Sequence, residues 1–579
     1  MLYPQSNRYR HCFDLSGFWE IRFDPENAGQ AAGWSSGFVG GQPIAVPASW
    51  NDQFSSWRDY LGLAWYQTRF DAPWNLQTSR KYFLRFGSVN YSAEVWLNGV
   101  RLGSHEGGHL PFEFDVTPLL REEDNRLVVS VDGTLATDRV PPGNVPMGPL
   151  DRFASLNYPD GSFDFFPYCG LHRPVLLYAV APEGLSDLTV ITDVHNDTGY
   201  VRVGLHRTES APVHARLSLQ GQGDPIATEI EFSAQAEASL QVPQPALWAP
   251  GSPHLYQLTV ELKDSRGVFD RYTLSVGIRT IKIEGDEILL NGQPIYLRGF
   301  GRHEDFAVVG RGLLPALIVK DYALMEWIGA NSFRTTHYPY SEQMMDLADR
   351  LGFLVIDETP AVGLFFAEEG LERRLELCRQ YTREMIARDK NHPSVIAWSL
   401  ANEPHSNRPA AKAFFRNLYD LAKSLDPTRP ATVVTTVGVA EEAFEFVDFM
   451  CLNRYYAWYT EPAQLDLGCQ RLSAELDALY EKYHKPLVLS EFGADTVPGV
   501  HAEPPEMFSE EFQVEMLKRY IEVLRTKSFV VGEHVWNLCD FKTGQAVNRM
   551  NSFNFKGVFT RDRRPKMAAH YLRQLWKRT

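Results

Sequence analysis

The chain has 579 residues, a formal net charge of −15, and 44% hydrophobic and 13% aromatic residues. That length implies about three to five domains, and the hydrophobic share is ordinary for well-filled cores. The acidic balance argues against a nucleic-acid partner, which calls for a basic face, and no stretch approaches the roughly 18 uninterrupted apolar residues of a membrane span.

The opening "MLYPQSNRYRHCFDLSGFW" lacks the apolar run of a signal peptide. Cys12, Cys169, Cys378, Cys451, Cys469 and Cys539 are scattered, with no CxxC pair. They read as reduced, mostly buried thiols, and the expected location is cytoplasmic. There is no HExxH and no other metal-spaced cluster, so neither metal nor cofactor is expected. The high aromatic content fits a carbohydrate-facing cleft and fits large β-rich cores equally well.

The first third reads as all-β. Ala93, Val95 and Leu97 alternate with Glu94 and Trp96 and run into Asn98-Gly99, a strong hairpin signal. Short strands between turns continue to about residue 180, the pattern of a sandwich or jelly roll over 1–180. Residues 181–277 form a second run of alternating strands, among them "SDLTVITDV" and "LYQLTVELKD", of a length that fits an immunoglobulin-like sandwich.

From 278 to 579 strands alternate with amphipathic helices. The strands are "IYLRGFG", "SFRTTHY", "FLVIDET", "VIAWSLANE", "ATVVTTV", "MCLNRYY", "LVLSEFG" and "EHVWNLCDF". In the helix "AKAFFRNLYDLAKSLD", Phe414, Leu418, Leu421 and Leu425 share a face; in "LSAELDALYEKY", Leu472, Leu476, Leu479 and Tyr483 do. Eight such units predict a (β/α)8 TIM barrel, whose active site lies at the C-terminal ends of its strands.

Two glutamates stand there. Glu403 follows "VIAWSLAN" and Glu491 follows "PLVLS". Each alone can be a salt-bridged rim residue; two carboxyls facing one cleft suit glycoside hydrolysis, in which one donates a proton to the leaving oxygen and the other attacks the anomeric carbon. Their pKa values must then differ, burial and like charge raising the acid and hydrogen-bond donors holding the nucleophile down. Tyr455, at the end of strand six, is a candidate donor to the nucleophile. "RHED" (Arg302, His303, Glu304, Asp305) closes strand one and lacks a partner spacing for a metal. Arg334 and His337 close strand two and read as an ion-pair network bracing the rim. Asn453, Arg454, Tyr455 and Tyr459 follow strand six, and Trp536 closes strand eight.

Several segments carry a resemblance. "NSFRTTHYPYSEQMMDLADRLGFLVI" and "DKNHPSVIAWSLANE" resemble the two signature segments of glycoside hydrolase family 2. With "GFGRHED", "LNRYY", "SEFG" and "FTRDRRPK" the likeness spans essentially the whole chain and is closest to the glucuronidase branch of that family. It implies a jelly roll, an immunoglobulin-like sandwich and a barrel in that order. It also implies Glu403 as acid/base, Glu491 as nucleophile, Asn402 on the sugar 2-hydroxyl and Asp164 reaching from the jelly roll to a sugar hydroxyl. Asn453, Tyr455, Tyr459 and Trp536 would line the sugar site, with His303 a further member.

The resemblance places an Asn-x-Lys pair after strand eight, here Asn554 and Lys556, with Arg549 before it. An amide and an ammonium converging on a uronate carboxylate give charge-assisted hydrogen bonds. On this reasoning a neutral sugar would leave Lys556 desolvated and unpaired. The trailing "TRDRRPK" reads only as a connection to the last helix. The expected partner is a glucuronide or a glucuronate-capped glycan, and the resemblance implies a homotetramer. Between "ETPAVGLFFAEEG" and the next helix the chain lacks the long loop with which many gut bacterial relatives cover the mouth; an open mouth is expected. A β-galacturonidase or dual hexuronidase, a neutral-sugar hydrolase of the same family, and a non-catalytic carbohydrate-binding protein remain as alternatives.

Overall fold

The structure, a computed structural model, describes residues 2–145, 157–209, 211–221 and 223–577. Two antiparallel sheets form the N-terminal sandwich. One has four strands, in the order His11–Asp14, Val175–Val180, Lys81–Phe86, Phe112–Asp115; the other has six, running from Gln42–Val46 to Val100–Glu106. Their inner faces carry alternating residues such as Ile21, Tyr66, Val95 and Val129, all at most 1% exposed, as the strand period of two requires. Asn98 and Gly99 both have positive φ, 54° and 82°, which is the two-residue hairpin geometry that Asn-Gly favours.

A three-stranded sheet (Leu185–His195, Thr198–Arg207, Gln235–Pro243) and a four-stranded one (Ile226–Phe232, Val213–Gln220, Tyr256–Asp264, Gly267–Val276) form the second sandwich around its own apolar core.

The third part is a closed barrel of eight parallel strands: Leu297–Gly301, Ser332–Arg334, Leu354–Glu358, Val395–Asn402, Ala431–Thr435, Met450–Asn453, Leu487–Glu491 and Val530–Val535. We number them one to eight. Every residue of strands three to eight is buried, which is why they read as near-continuous apolar runs. Strand eight begins at Val530 and ends at Val535, earlier than "EHVWNLCDF" suggests. Phe541–Lys542 belongs instead to a separate hairpin with Phe553–Asn554, so the apolar run was two elements divided by a turn. The helix Pro409–Leu425 buries Ala411, Phe414, Phe415, Leu418 and Ala422; Leu425, placed on that face by periodicity, is 42% exposed at the helix end. The helix Leu465–Tyr483 buries Leu472, Leu476 and Leu479 as expected.

The segment "TRDRRPK" does more than connect. Arg561 reaches Asp305 (2.6 Å) and Asp52 (3.1 Å), Arg563 reaches Asp321 (2.9 Å), and Lys566 reaches Asp540 (2.8 Å). Asp321 also holds Arg302 of the strand-one end (2.6 Å). Three cations of one short segment thus tie the sandwich residue Asp52 and the first barrel sector to the chain's last helix, Met567–Trp576. Removing one partner of a buried pair costs several kcal/mol, about 3–5, because a charge is left uncompensated. The six cysteines are free thiols, five of them buried, and among the described residues no helix is long and apolar enough to cross a membrane.

Candidate active site

Asn402 and Glu491 are the last residues of strands four and seven, and Glu403 follows Asn402 directly. Glu403 has φ +46°, a left-handed conformation that costs a non-glycine residue about 1–3 kcal/mol. Strain of this kind at a strand end turns the side chain off the ladder direction. Its Oε1 accepts from Asn453 Nδ2 (2.7 Å), which also reaches Asn402 Oδ1 (3.1 Å); Asn453 is in turn held by Ser490 Oγ (2.8 Å).

Glu491 is held from two sides. The Tyr455 hydroxyl donates to its Oε2 (2.8 Å), the contact expected from sequence. Arg334, fully buried, forms an ion pair with its Oε1 and donates to both oxygens of Glu358 (2.8 and 2.7 Å). His337 Nδ1 meets Glu358 Oε1 (3.0 Å), and Ser399 donates to Oε2 (2.8 Å). Arg334 and His337 therefore do form a rim network, as expected, but one whose arginine grips a candidate catalytic carboxylate. Glu358 is a residue that sequence reasoning missed. It ends strand three as Glu491 ends strand seven, so the same strand-end rule would have found it. Burial pushes its carboxyl up, but Arg334 and His337 outweigh this and hold it below its ordinary value.

Burial pushes the carboxyls of Glu403 and Glu491 above the ordinary range, Glu491 to about 8. Arg334 and Tyr455 pull Glu491 back, and the charge of Glu403 pushes it up again. The sequence expectation that donors would hold Glu491 low is corrected here: in the free site burial outweighs them. Neighbouring buried carboxyls titrate as a pair. The ionised form is better served on Glu491, which has a guanidinium and a hydroxyl donor, than on Glu403, which has one amide.

The aromatic wall continues from Tyr455 to Tyr459, whose ring centroids lie 5.3 Å apart. The Tyr459 hydroxyl accepts from Lys556 Nζ (2.8 Å) and from Arg549 Nη2 (2.8 Å). Asn554 lies on the small hairpin after strand eight, and its Oδ1 accepts from the Lys556 backbone N–H (3.0 Å). Asp164 comes across from the first sandwich, on a loop seated where Gly363 leaves room. At φ +58°, a Cβ on Gly363 would lie 2.2 Å from the Ser162 carbonyl oxygen. Asp164 accepts from Arg549 Nε (2.7 Å) and Nη2 (2.6 Å) and from Asn554 Nδ2 (2.8 Å).

Lys556 is fully buried, but it is not unpaired. Asp495, four residues beyond Glu491, forms an ion pair with its Nζ and accepts from the Phe555 N–H (2.8 Å). Burial raises the Asp495 carboxyl, but Lys556 and Arg549 bring it below its ordinary value. The expectation that a neutral sugar would leave Lys556 without a partner is therefore wrong. Two cations, Arg549 and Lys556, already face two carboxylates, Asp164 and Asp495.

His303 donates or accepts at Nδ1 with the Tyr338 hydroxyl (3.0 Å), while its buried Nε2 has no partner among the described residues. Burial and the neighbouring His337 and arginines push its pKa well down, so it is a neutral imidazole with one nitrogen available. Trp536, just after strand eight, stacks on His337 (5.0 Å, 20°) and packs edge-on against His303 (5.4 Å). The twelve residues given a catalytic or sugar-binding role from sequence thus lie along one tract, from Glu403 and Glu491 through Tyr455 and Tyr459 to Arg549, Asn554 and Lys556. Among the described residues one group, Asp346, Asp349 and His392, brings metal-ligand-type atoms within 4.8 Å of one another. It lies near the strand starts, and His392 is bonded to Asp349 (2.6 Å).

Comparison with known proteins fits this arrangement. Residues 13–181, 184–279 and 281–579 match the sugar binding domain, a second domain and the TIM barrel domain of glycosyl hydrolases family 2. The chain belongs to glycoside hydrolase family 2. Its family-2 relatives include the β-glucuronidase of Paenibacillus borealis, 42% identical over 100% of this chain and 98% of that protein. A solved β-D-glucuronidase of Dictyoglomus thermophilum is 40% identical, with a TM-score of 0.91 over 100% of this chain and 99% of the other. A β-glucuronidase of Ruminococcus gnavus, solved in complex with D-glucuronic acid, is 38% identical, with a TM-score of 0.91 over 99% of both chains. This family-2 chain is accordingly a glycoside hydrolase.

Proposed function

We propose that the protein is a retaining exo-β-glucuronidase. The reading is carried by the meeting of Arg549, Asn554 and Lys556 on the Tyr459 end of a tract whose other end holds two strand-end glutamates. Relatives of 38–42% identity that are β-glucuronidases support it.

In this reading Glu403, carrying the proton, protonates the glycosidic oxygen as the bond to the anomeric carbon breaks. Glu491 attacks that carbon from the opposite face and forms the glycosyl-enzyme. Glu403, now a carboxylate, takes a proton from water, which displaces Glu491 and releases glucuronate with its β configuration retained. Asn402 meets the 2-hydroxyl, a contact that strengthens as the ring becomes oxocarbenium-like. Tyr455 and Arg334 hold the Glu491 charge: they stabilise the carboxylate before attack and again when it is displaced as the leaving group. Asp164, His303, Asn453 and Trp536 line the sugar.

Recognition of the uronate is by completion rather than by rescue of a lone cation. Lys556 Nζ donates to Asp495 and Tyr459, and an ammonium has three N–H donors. The third, with the Asn554 amide and the Arg549 guanidinium, meets the C6 carboxylate. After strand three, residues 359–370 run straight into the helix Leu371–Asp389. Nothing long is available there to cover the mouth, which supports acceptance of bulky aglycones such as glucuronate-capped glycans.

Parallel assays on nitrophenyl glucuronide, galacturonide and galactoside, with a glucuronate-capped oligosaccharide, test the proposal. Turnover of the galactoside at the glucuronide's rate would sink the uronate assignment. Retention is read from the anomer first released, by NMR. A strong preference for the aryl substrate over the capped oligosaccharide would remove the open-mouth reading alone.

A further inference from the structure

The junction between the second sandwich and the barrel encloses a cavity of about 290 Å³, formed by the sandwich strand around Val190–Asp193, the connecting residues 276–282 and two barrel loops at Asn391–Pro393 and Pro427–Arg429. Those loops precede strands four and five, so the cavity opens at the strand starts, the face opposite Glu403. Four cations line it, Arg202, Arg279, Lys282 and Arg429, against one carboxylate, Asp193. In a chain with a net charge of −15 this is a local reversal of sign.

Two of the charges are spoken for. Arg429 is paired with Asp426 (2.8 Å), and Asp193 accepts from the Val194 N–H (2.8 Å) and meets His195 (2.9 Å). The remaining three cations have no carboxylate partner among the described residues. Arg279 is the decisive one. It is 6% exposed, and its Nε and Nη2 donate only to the carbonyls of Pro393 (3.0 Å) and Val395 (2.7 Å). Nη1 has no hydrogen-bond partner among the described residues. Burial, reinforced by Arg429, pushes its pKa down to about 9, and the more distant Asp426 and Asp349 offset this only in part. Such a charge is normally paired or neutralised, and a guanidinium fork matches an oxyanion. Arg202 and Lys282 stand exposed at the rim of the same cavity and bring two further donors from different parts of the chain.

We infer that this cavity binds a small polyvalent oxyanion, inorganic phosphate or the phosphate group of a small phosphorylated metabolite, held by Arg279 with Arg202 and Lys282. Its volume lies at the small end of ligand pockets, roughly 300–1,000 Å³, which leaves room for a phosphate and a compact body. The ligand ties sandwich, connector and barrel base together, so it stabilises the folded chain by mass action.

The test is isothermal titration calorimetry and thermal unfolding of the whole protein with sodium phosphate, glucose 6-phosphate and sodium chloride at matched ionic strength. Phosphate or the sugar phosphate is expected to bind saturably and raise Tm where chloride does not; tighter binding of the sugar phosphate assigns a metabolite, equal or weaker binding assigns the inorganic ion. The double variant Arg202→Ala/Lys282→Ala should weaken that affinity at least about tenfold, the loss of a charge-assisted contact. Its Tm without phosphate and its glycosidase kcat/KM should match the parent. A parent that responds to phosphate no more than to chloride, or a double variant with unchanged affinity, overturns the inference.

Discussion

Asp164 of the first sandwich closes a two-bonded ion pair on Arg549 of the barrel (2.7 and 2.6 Å), in the tract where an incoming carboxylate would need that same guanidinium. On the proposed uronate reading, the protein's own carboxylate competes with the substrate's. The Asp164 side chain is 44% exposed, so the pair is worth no more than a surface bridge, about 0.5–1 kcal/mol. Asp164→Asn keeps an acceptor for a sugar hydroxyl and removes the charge. We expect free glucuronate to bind about two- to fivefold more tightly to the variant, as measured by competitive inhibition of aryl glucuronide hydrolysis. Weaker inhibition would show that the carboxylate assists the substrate.

The two glutamates are separable by leaving group. Glu403→Gln should lower kcat by roughly 10²–10⁴ on an alkyl glucuronide, and much less on a dinitrophenyl one, which leaves without protonation. Glu491→Ala should lose turnover on both and regain part of it with azide, giving the inverted glycosyl azide. A retained product, or no rescue, would remove Glu491 from the nucleophile's role.

Lys556 and Asp495 must be tested together. Lys556→Ala should cost a uronide about 2–4 kcal/mol in kcat/KM. It also leaves Asp495 buried without its ammonium, so Tm should fall. Adding Asp495→Asn should restore much of the Tm and none of the uronide activity. If activity returned with stability, Lys556 would be only a structural partner.

The raised carboxyl of Glu491 has a stability consequence of definite sign. A carboxyl with an ordinary value near 4.5 when unfolded and about 8 when folded binds more protons in the native state across that interval. Stability therefore falls as pH rises from about 4.5 to 8, and the penalty is absent below 4.5. Glu491→Gln should consequently be more thermostable than the parent at pH 8 and match it near pH 4. A gain that is the same at both values would mean that the effect is not titration.

The barrel and the two glutamates were legible because strands buried on both faces leave unbroken apolar runs, and a carboxylate at the end of such a run stands out. Glu358 obeys the same rule at the end of strand three, where Arg334, His337 and Ser399 hold it. The partners of Lys556 and of Arg561 were not legible. Asp495 meets Lys556 because the loops after strands seven and eight fold onto one another, and Asp305 lies 256 positions from Arg561. Ion pairs between distant loops leave no period or spacing in a sequence. The fate of Leu425 was likewise outside the helical period, since a helix end protrudes from its groove.

The residues proposed to read a uronate charge, Arg549 to Lys556, and the cations Arg561 to Lys566 leave the ribosome after all eight barrel strands. Until that stretch emerges, Asp305 lacks Arg561, and Asp321 has only Arg302 as its counter-charge. On the proposed reading, a chain made only through strand eight contains Glu403 and Glu491 and lacks the residues that would choose the sugar.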